Sequence, residues 1–367
     1  MRKRIMIMGL LCVVSMYSLT ACLQNQDQGR QVIKKPDKEI VVLDKVNESD
    51  KGKTALEKID RIDDMRALDW IDEETLLIMK ENRNMPSVQG ESGMVFPKNF
   101  YMYGLEDKEA KLIRESKVNM SNGIVSPDKR YIFYKEGMEE NLTGFILDLS
   151  TGEKRQITEL DSVSSYEGRW LDNDTVVLSS FSEGDIYEAD TNGQVRKLAK
   201  APERLIANTI KLGDNVWYTK MDGKLYVQKV GSDERKLLLE NVIWLIPSPD
   251  MTQLAMVKRV AETRMQLVLT DLEGKEIRSF SEGTQVYGVN WSPDGTKLAY
   301  NLVSLDGGQS GLFIADTGTG EVTQLAVDMQ YAADPIRWSP SGKKLVTSSP
   351  VVEDNGYRFM TYVVYIK

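Results

Sequence analysis

The chain has 367 residues, with 55 acidic against 47 basic side chains, a formal charge of −8, two cysteines and no histidine. The acidic balance argues against nucleic acid and against electrostatic adhesion to anionic lipid. The missing histidine rules out Ser-His-Asp and Cys-His catalysis and removes the commonest transition-metal ligand, leaving carboxylate pairs and lysine or tyrosine bases as possible chemistry.

The N-terminus opens with Arg2, Lys3 and Arg4, continues with a nearly unbroken apolar run over 5–14, and reaches Leu19-Thr20-Ala21-Cys22. A basic start, a short apolar core and small residues before a cut are the layout of a secretory signal peptide, and the core is too short to span a bilayer comfortably. The small residues stop at a cysteine, so the pattern resembles the lipobox of bacterial lipoproteins. That resemblance implies a diacylglyceryl group on Cys22, removal of 1–21 and an extracytoplasmic protein anchored to the cell membrane by lipid. Cys12 would leave with the leader and Cys22 would be lipidated, so no thiol remains for a disulfide, a zinc site or a nucleophile. Losing three basic residues takes the mature charge to about −11. Residues 22–38 are polar and read as a tether, and 39–367 as the folded domain.

From about residue 64 the chain repeats itself. Each unit has four short runs of alternating, β-branched residues separated by Gly, Pro and Asp, which reads as four strands. One unit is VYGVNWSP, TKLAYNLV, GLFIADTGTGE and VTQLAV, starting at Val286. An anchor residue, tryptophan in the best copies, recurs at Trp70, Val125, Trp170, Lys211, Pro247, Trp291 and Trp338. A period of roughly 45 residues suits one four-stranded propeller blade. The stretches WSPDGTKLAY (291–300) and WSPSGKKLVT (338–347) resemble the repeats of TolB-like, WD40-like β-propellers. That family implies an all-β ring exposed outside the cytoplasm, and no single activity. Such propellers serve as binding platforms, and some precede a hydrolase domain, which is not expected after the last repeat here. Seven blades are expected, or six if the weak unit around Lys211 is incomplete.

The seventh unit lacks a fourth strand. Residues 57–62, EKIDRI, lie at the offset of a fourth strand before Trp70 and are expected to close the ring; EIVVLDKV (39–46) is the other candidate. The repeated Ser-Pro-Asp-Gly stretch is a turn signature, with Pro presetting φ, Asp bonding its own backbone and Gly supplying positive φ. A motif present in several blades serves packing, so Ser292 and Asp294 read as structural. Asp172 and Asp174 read as a solvated turn before a Ca²⁺ site, and no metal or cofactor is expected.

In a meander the first-to-second and third-to-fourth turns share one face, and the second-to-third loops share the other with the blade connections. The second set is longer and differs from copy to copy, which is where binding residues concentrate. The loop 81–98 contributes Arg83, Met85, Met94 and Phe96 as candidates. Tyr166, Arg169, Tyr331, Asp334 and Arg337, near the starts of first strands, are candidates at the central funnel; their alternative role is interblade packing. The expected function is a non-catalytic platform for a protein, peptide or cell-envelope ligand. The alternative is a propeller-type carbohydrate-active enzyme using funnel carboxylates.

Overall fold

A computed structural model describes residues 30–34, 39–43, 54–90, 93–138, 141–157, 168–180, 183–202, 206–327, 334–353 and 356–367. Strands β1 (Arg30–Lys34) and β2 (Glu39–Leu43) pair as a separate antiparallel hairpin. The ring begins with β3 (Leu56–Asp63). Blade one is β4 (Arg66–Trp70), β5 (Thr75–Glu81), β8 (Lys98–Gly104) and β9 (Ala110–Arg114), with a small hairpin, β6 (Val88–Gly90) and β7 (Gly93–Val95), inserted between its second and third strands. Blade two is β10 (Asn119–Val125), β11 (Tyr131–Met138), β12 (Asn141–Asp148) and β13 (Lys154–Gln156). Blade three is β14 (Arg169–Trp170), β15 (Thr175–Ser179), β16 (Asp185–Asp190) and β17 (Val195–Lys200). Blade four is β18 (Ile206–Leu212), β19 (Asn215–Lys220), β20 (Leu225–Lys229) and β21 (Arg235–Leu239). Blade five is β22 (Val242–Pro247), β23 (Leu254–Ala261), β24 (Arg264–Thr270) and β25 (Glu276–Gly283). Blade six is β26 (Gln285–Trp291), β27 (Lys297–Val303), β28 (Gly311–Asp316) and β29 (Val322–Ala326). Blade seven is β30 (Arg337–Trp338), β31 (Lys344–Glu353) and β32 (Gly356–Ile366), completed on its outer edge by β3.

The fold is therefore a seven-bladed β-propeller, and the unit around Lys211 is a full blade. Closure is by the expected segment. Strand β3 pairs antiparallel with β32, Ile59 opposite Val364 and Ile62 opposite Thr361. The rival segment is not in the ring; its residues 39–43 pair with β1.

Second strands are the most buried, because a blade covers each of their faces. Residues Leu298–Val303 of β27 are all buried, as are Leu76–Met79 of β5. This explains why they read as short continuous apolar runs instead of alternating ones. Fourth strands are largely polar and exposed, as in the Val195-Arg196-Lys197 start of β17. Buried apolar side chains form seven clusters, one at each blade boundary.

The anchors face the preceding blade. Each tryptophan anchor donates its indole N–H to a carbonyl on the first strand of that blade. The bonds are Trp70 to Arg337 (3.0 Å), Trp170 to Ile124 (2.9 Å), Trp291 to Ile246 (3.1 Å) and Trp338 to Asn290 (3.2 Å). The acceptor is always the residue just before the neighbour's own anchor. Where Lys211 replaces tryptophan, its Nζ instead reaches Glu188 of blade three at 3.3 Å. Gly288, at φ 64°, lies so close to blade seven that a Cβ would meet the Asp334 carbonyl at 2.8 Å; only glycine fits there.

Two stability outcomes follow. Trp291→Phe keeps most of the packing and loses the indole bond, and should lower stability by about 1 kcal/mol. Trp291→Ala should cost about 3–5 kcal/mol by leaving a cavity. Urea unfolding that shows equal losses would contradict this division. A chain starting at residue 54 should melt like the full ring, whereas one starting at 64 should lose cooperative unfolding in calorimetry.

Candidate binding face

The turn face is built from one repeated device. Ser292 is buried; its Oγ donates to Asp294 Oδ1 at 2.6 Å and accepts from the Lys297 N–H at 2.9 Å. Ser126 with Asp128, and Ser248 with Asp250, repeat the 2.6 Å bond. Burial alone would raise the Asp294 pKa, but the bonds from Ser292 and Thr296 outweigh it and hold the carboxyl below its ordinary range. A hydroxyl engaged on both sides inside a tight turn has no geometry for nucleophilic attack, so the structural reading of the motif stands. The Asp172 carboxylate likewise accepts the Asp174 and Thr175 N–H groups within its own turn.

Blade seven has Ser341 where the others have Asp, and the carboxylate comes from elsewhere. Glu73, in the first turn of blade one, accepts Ser339 Oγ at 3.0 Å, Ser341 N–H at 3.0 Å and Ser341 Oγ at 2.8 Å. Lys344 adds bonds to the Glu73 carbonyl and the Glu74 carboxylate. The seam between the last and first blades is thus tied by groups far apart in sequence.

On the opposite face the apolar side chains are exposed. Among the described residues, the exposed large hydrophobic side chains fall in two places. Leu112, Val195, Leu237 and Ile277 lie on fourth strands; Met94, Val95, Met221, Val260, Leu305, Val352 and Tyr357 lie at or beside second-to-third connections. None lies within a described first-to-second or third-to-fourth turn. Val352 is 86% exposed and Leu305 78%. The arm of blade seven overhangs its neighbours: β31 and β32 stay paired to Glu353 opposite Gly356, well past the end of β3 at Asp63. Arg358 braces the arm's base against Glu353 and Asp63. Lys98 of blade one sits over the Tyr357 ring at 5.0 Å, so the arm meets the blade-one insertion.

The loop 81–98 is a clamped insertion carrying its own hairpin. Buried Asn82 donates to Asn99, and Asn99 donates to the Ser116 carbonyl. Arg83 and Met94 are exposed, whereas Met85 and Phe96 are half-buried. Val352 and Tyr357 were missed as candidates, although the long segment SPVVEDNGY was visible in the sequence.

The funnel candidates divide. Tyr166 and Tyr331 lie outside the described residues, as does Cys22. Asp334 forms a fork with Arg66 at the start of blade one, at 2.7 and 2.5 Å, and Arg66 also sits over Phe359 at 4.7 Å. The Arg66 guanidinium is thus held by blade seven on two sides, so the interblade alternative describes Asp334. Arg169 reaches from blade three to the Leu245 carbonyl of blade five at 3.4 Å, across an intervening blade. The described first strands carry one carboxylate, Asp69, whose oxygens accept the Trp70 and Val125 N–H groups at 2.8 and 2.9 Å.

No protein-family model matches the chain. Dipeptidyl-peptidase 5 of Porphyromonas gingivalis is 29% identical over 117 residues, which is 29% of this chain and 17% of that protein. An oligogalacturonate lyase in complex with manganese superposes with a TM-score of 0.62 at 13% identity, covering 92% of this chain and 96% of that one. The Cps50 (Swd1) β-propeller domain of Myceliophteria thermophila gives 0.57 at 12% identity, covering 86% and 100%. TolB of Acinetobacter baumannii gives 0.48 at 16%, covering 79% and 63%. At these identities the likenesses to the lyase and to the Cps50 domain are of fold alone: the chain shares their propeller architecture.

Glu73 makes the seam sensitive to acid. Burial would raise its pKa, but the bonds from Ser341 and Ser339 and the charge of Lys344 outweigh burial and lower it. A lowered folded-state pKa stabilises above the ordinary value near 4.5 and loses that contribution as pH falls through the folded value. Glu73→Gln should therefore melt below wild type at pH 7, and the gap should narrow at pH 3. An unchanged gap would refute it. Arg66→Ala should cost about 3 kcal/mol by stranding Asp334; pairing it with Asp334→Ala should recover part of the loss in urea melts.

Proposed function

We propose that this protein is a lipid-anchored, extracytoplasmic platform that docks a protein or peptide partner on its loop-rich face. The observation that carries this reading is the grouping of exposed apolar side chains at the second-to-third connections of blades one, four, five, six and seven, with none in the described first-to-second or third-to-fourth turns. Apolar side chains grouped on one rigid face suit docking, because burying them against a partner releases water and little ordering is required. The blade-seven arm and the blade-one insertion stand side by side there and supply the centre of the proposed footprint.

The anchor supports the same orientation. Ala55 and Lys367 exchange backbone hydrogen bonds, and Ile366 N–H bonds the Lys343 carbonyl, in the first turn of blade seven. The chain that leads back toward Cys22 therefore leaves from the turn face, and the docking face points away from the tether's exit. The partner is an envelope component reached on the far side of the ring. The enzyme alternative has less behind it, since the one carboxylate of the described first strands is engaged by backbone.

Site-specific photo-crosslinking in the native cell tests the docking face. A crosslinker at Val352 or Leu305 should capture one discrete partner, and one at Thr296 on the turn face should not. Adding Tyr357→Glu should abolish capture while leaving the melting temperature within about 2 °C, as for a surface change. Capture from Thr296 alone would refute the assignment. Cys22→Ala should release the protein from membranes; unchanged membrane association would refute the anchor.

A further inference from the structure

Six of the seven outer strands carry charges. Each of β3, β9, β13, β17, β21 and β25 has at least two charged residues and at least one exposed residue. Charge on an edge strand discourages pairing with another chain. Strand β29 of blade six is the exception. Its sequence, Val322-Thr323-Gln324-Leu325-Ala326, has no charge and no proline, and none of its residues is exposed. An uncharged edge with β-branched residues is the kind that recruits a further strand. This same edge has another strand beside it: β2 (Glu39–Leu43) lies against β29. Blade six remains a four-stranded sheet, and the ladder partner of β2 is β1.

The hairpin has physical reasons to be there. Two strands alone are marginal in water, so β1 and β2 gain from a neighbour. The β2 sequence, Glu39-Ile40-Val41-Val42-Leu43, places three β-branched residues in a row, which suits a strand packed against other strands. The hairpin also precedes β3, the outer strand of blade seven, so the chain passes from the outer edge of one blade to that of its neighbour. The segment that rivalled β3 for closing the ring thus has a place of its own. We propose that the outer edge of blade six is a strand-docking edge whose occupant is the β1–β2 hairpin of the same chain, a built-in cover that keeps two copies of the ring from pairing through it. This edge is on the rim of the ring, apart from the proposed docking face.

The test uses the chain of residues 23–367, which contains no cysteine, so introduced thiols are the only ones to react. Val41→Cys or Val42→Cys, each combined with Thr323→Cys, should be joined within one molecule by a short bismaleimide in at least one of the two pairs. The same hairpin cysteines combined with Lys236→Cys, on the outer strand of blade four, should not be joined. Without introduced thiols, Val41→Pro breaks the β2 strand and should shift the sedimenting species from monomer toward dimer as concentration rises. Adding Thr323→Lys, which places a charge on the bared edge, should return the monomer. The proposal is overturned if no hairpin cysteine joins Thr323→Cys or if the link joins two copies. It is also overturned if Val41→Pro stays monomeric, or if its dimer survives Thr323→Lys.

Discussion

The ring depends on one interaction used repeatedly: an indole N–H of one blade bonded to a first-strand carbonyl of the blade before it. The bond matters beyond its own energy, about 1 kcal/mol net. A carbonyl on the inner strand of a blade is short of ladder partners, and the tryptophan both satisfies it and fills the wedge between diverging sheets. Because the acceptor always precedes the neighbour's anchor, the bond also sets the stagger between blades. Lys211 with Glu188 shows the same position served by an ion pair across the boundary.

The seam between blades seven and one carries more cross-links than an ordinary boundary. Glu73 supplies the missing turn carboxylate, Arg66 forks onto Asp334 and covers Phe359, and Ser348 and Thr361 bond the backbone of Ala67 and Met65. A closed ring must join its ends without a covalent link, so the last boundary bears the loop-closure entropy of the whole chain. The outer strand β3 and these side chains offset it. The chain enters the ring at β3, so its N-terminal side is also the side that closes the fold.

The two faces divide the work. Short turns with engaged serines and aspartates hold strand pairs in register, and they are alike because every blade needs them. The other face is free to vary, and the blade-one insertion and the blade-seven arm meet there at the seam. The overhanging arm is stiffened by continuous strand pairing and by Arg358 at its base, so Val352 and Tyr357, which pair across it, are presented by hydrogen-bonded strands.

The amino-acid sequence by itself determined the blade phase, and narrowed the blade count to seven or six and the closing strand to two segments, because turn chemistry and strand alternation are local. Even at Lys211 and Pro247 the anchor register survives without tryptophan. It also assigned Ser292 and Asp294 to structure by their recurrence. Only the tertiary structure decided what distant residues do to one another. Asp334, a candidate for binding, is taken by Arg66; Glu73, unremarkable in sequence, completes a turn 268 residues away. Whether Val352 is exposed or covered depends on groups brought together by closure of the ring. Local pattern encodes strands and turns, but pairing and exposure are properties of the assembled boundary.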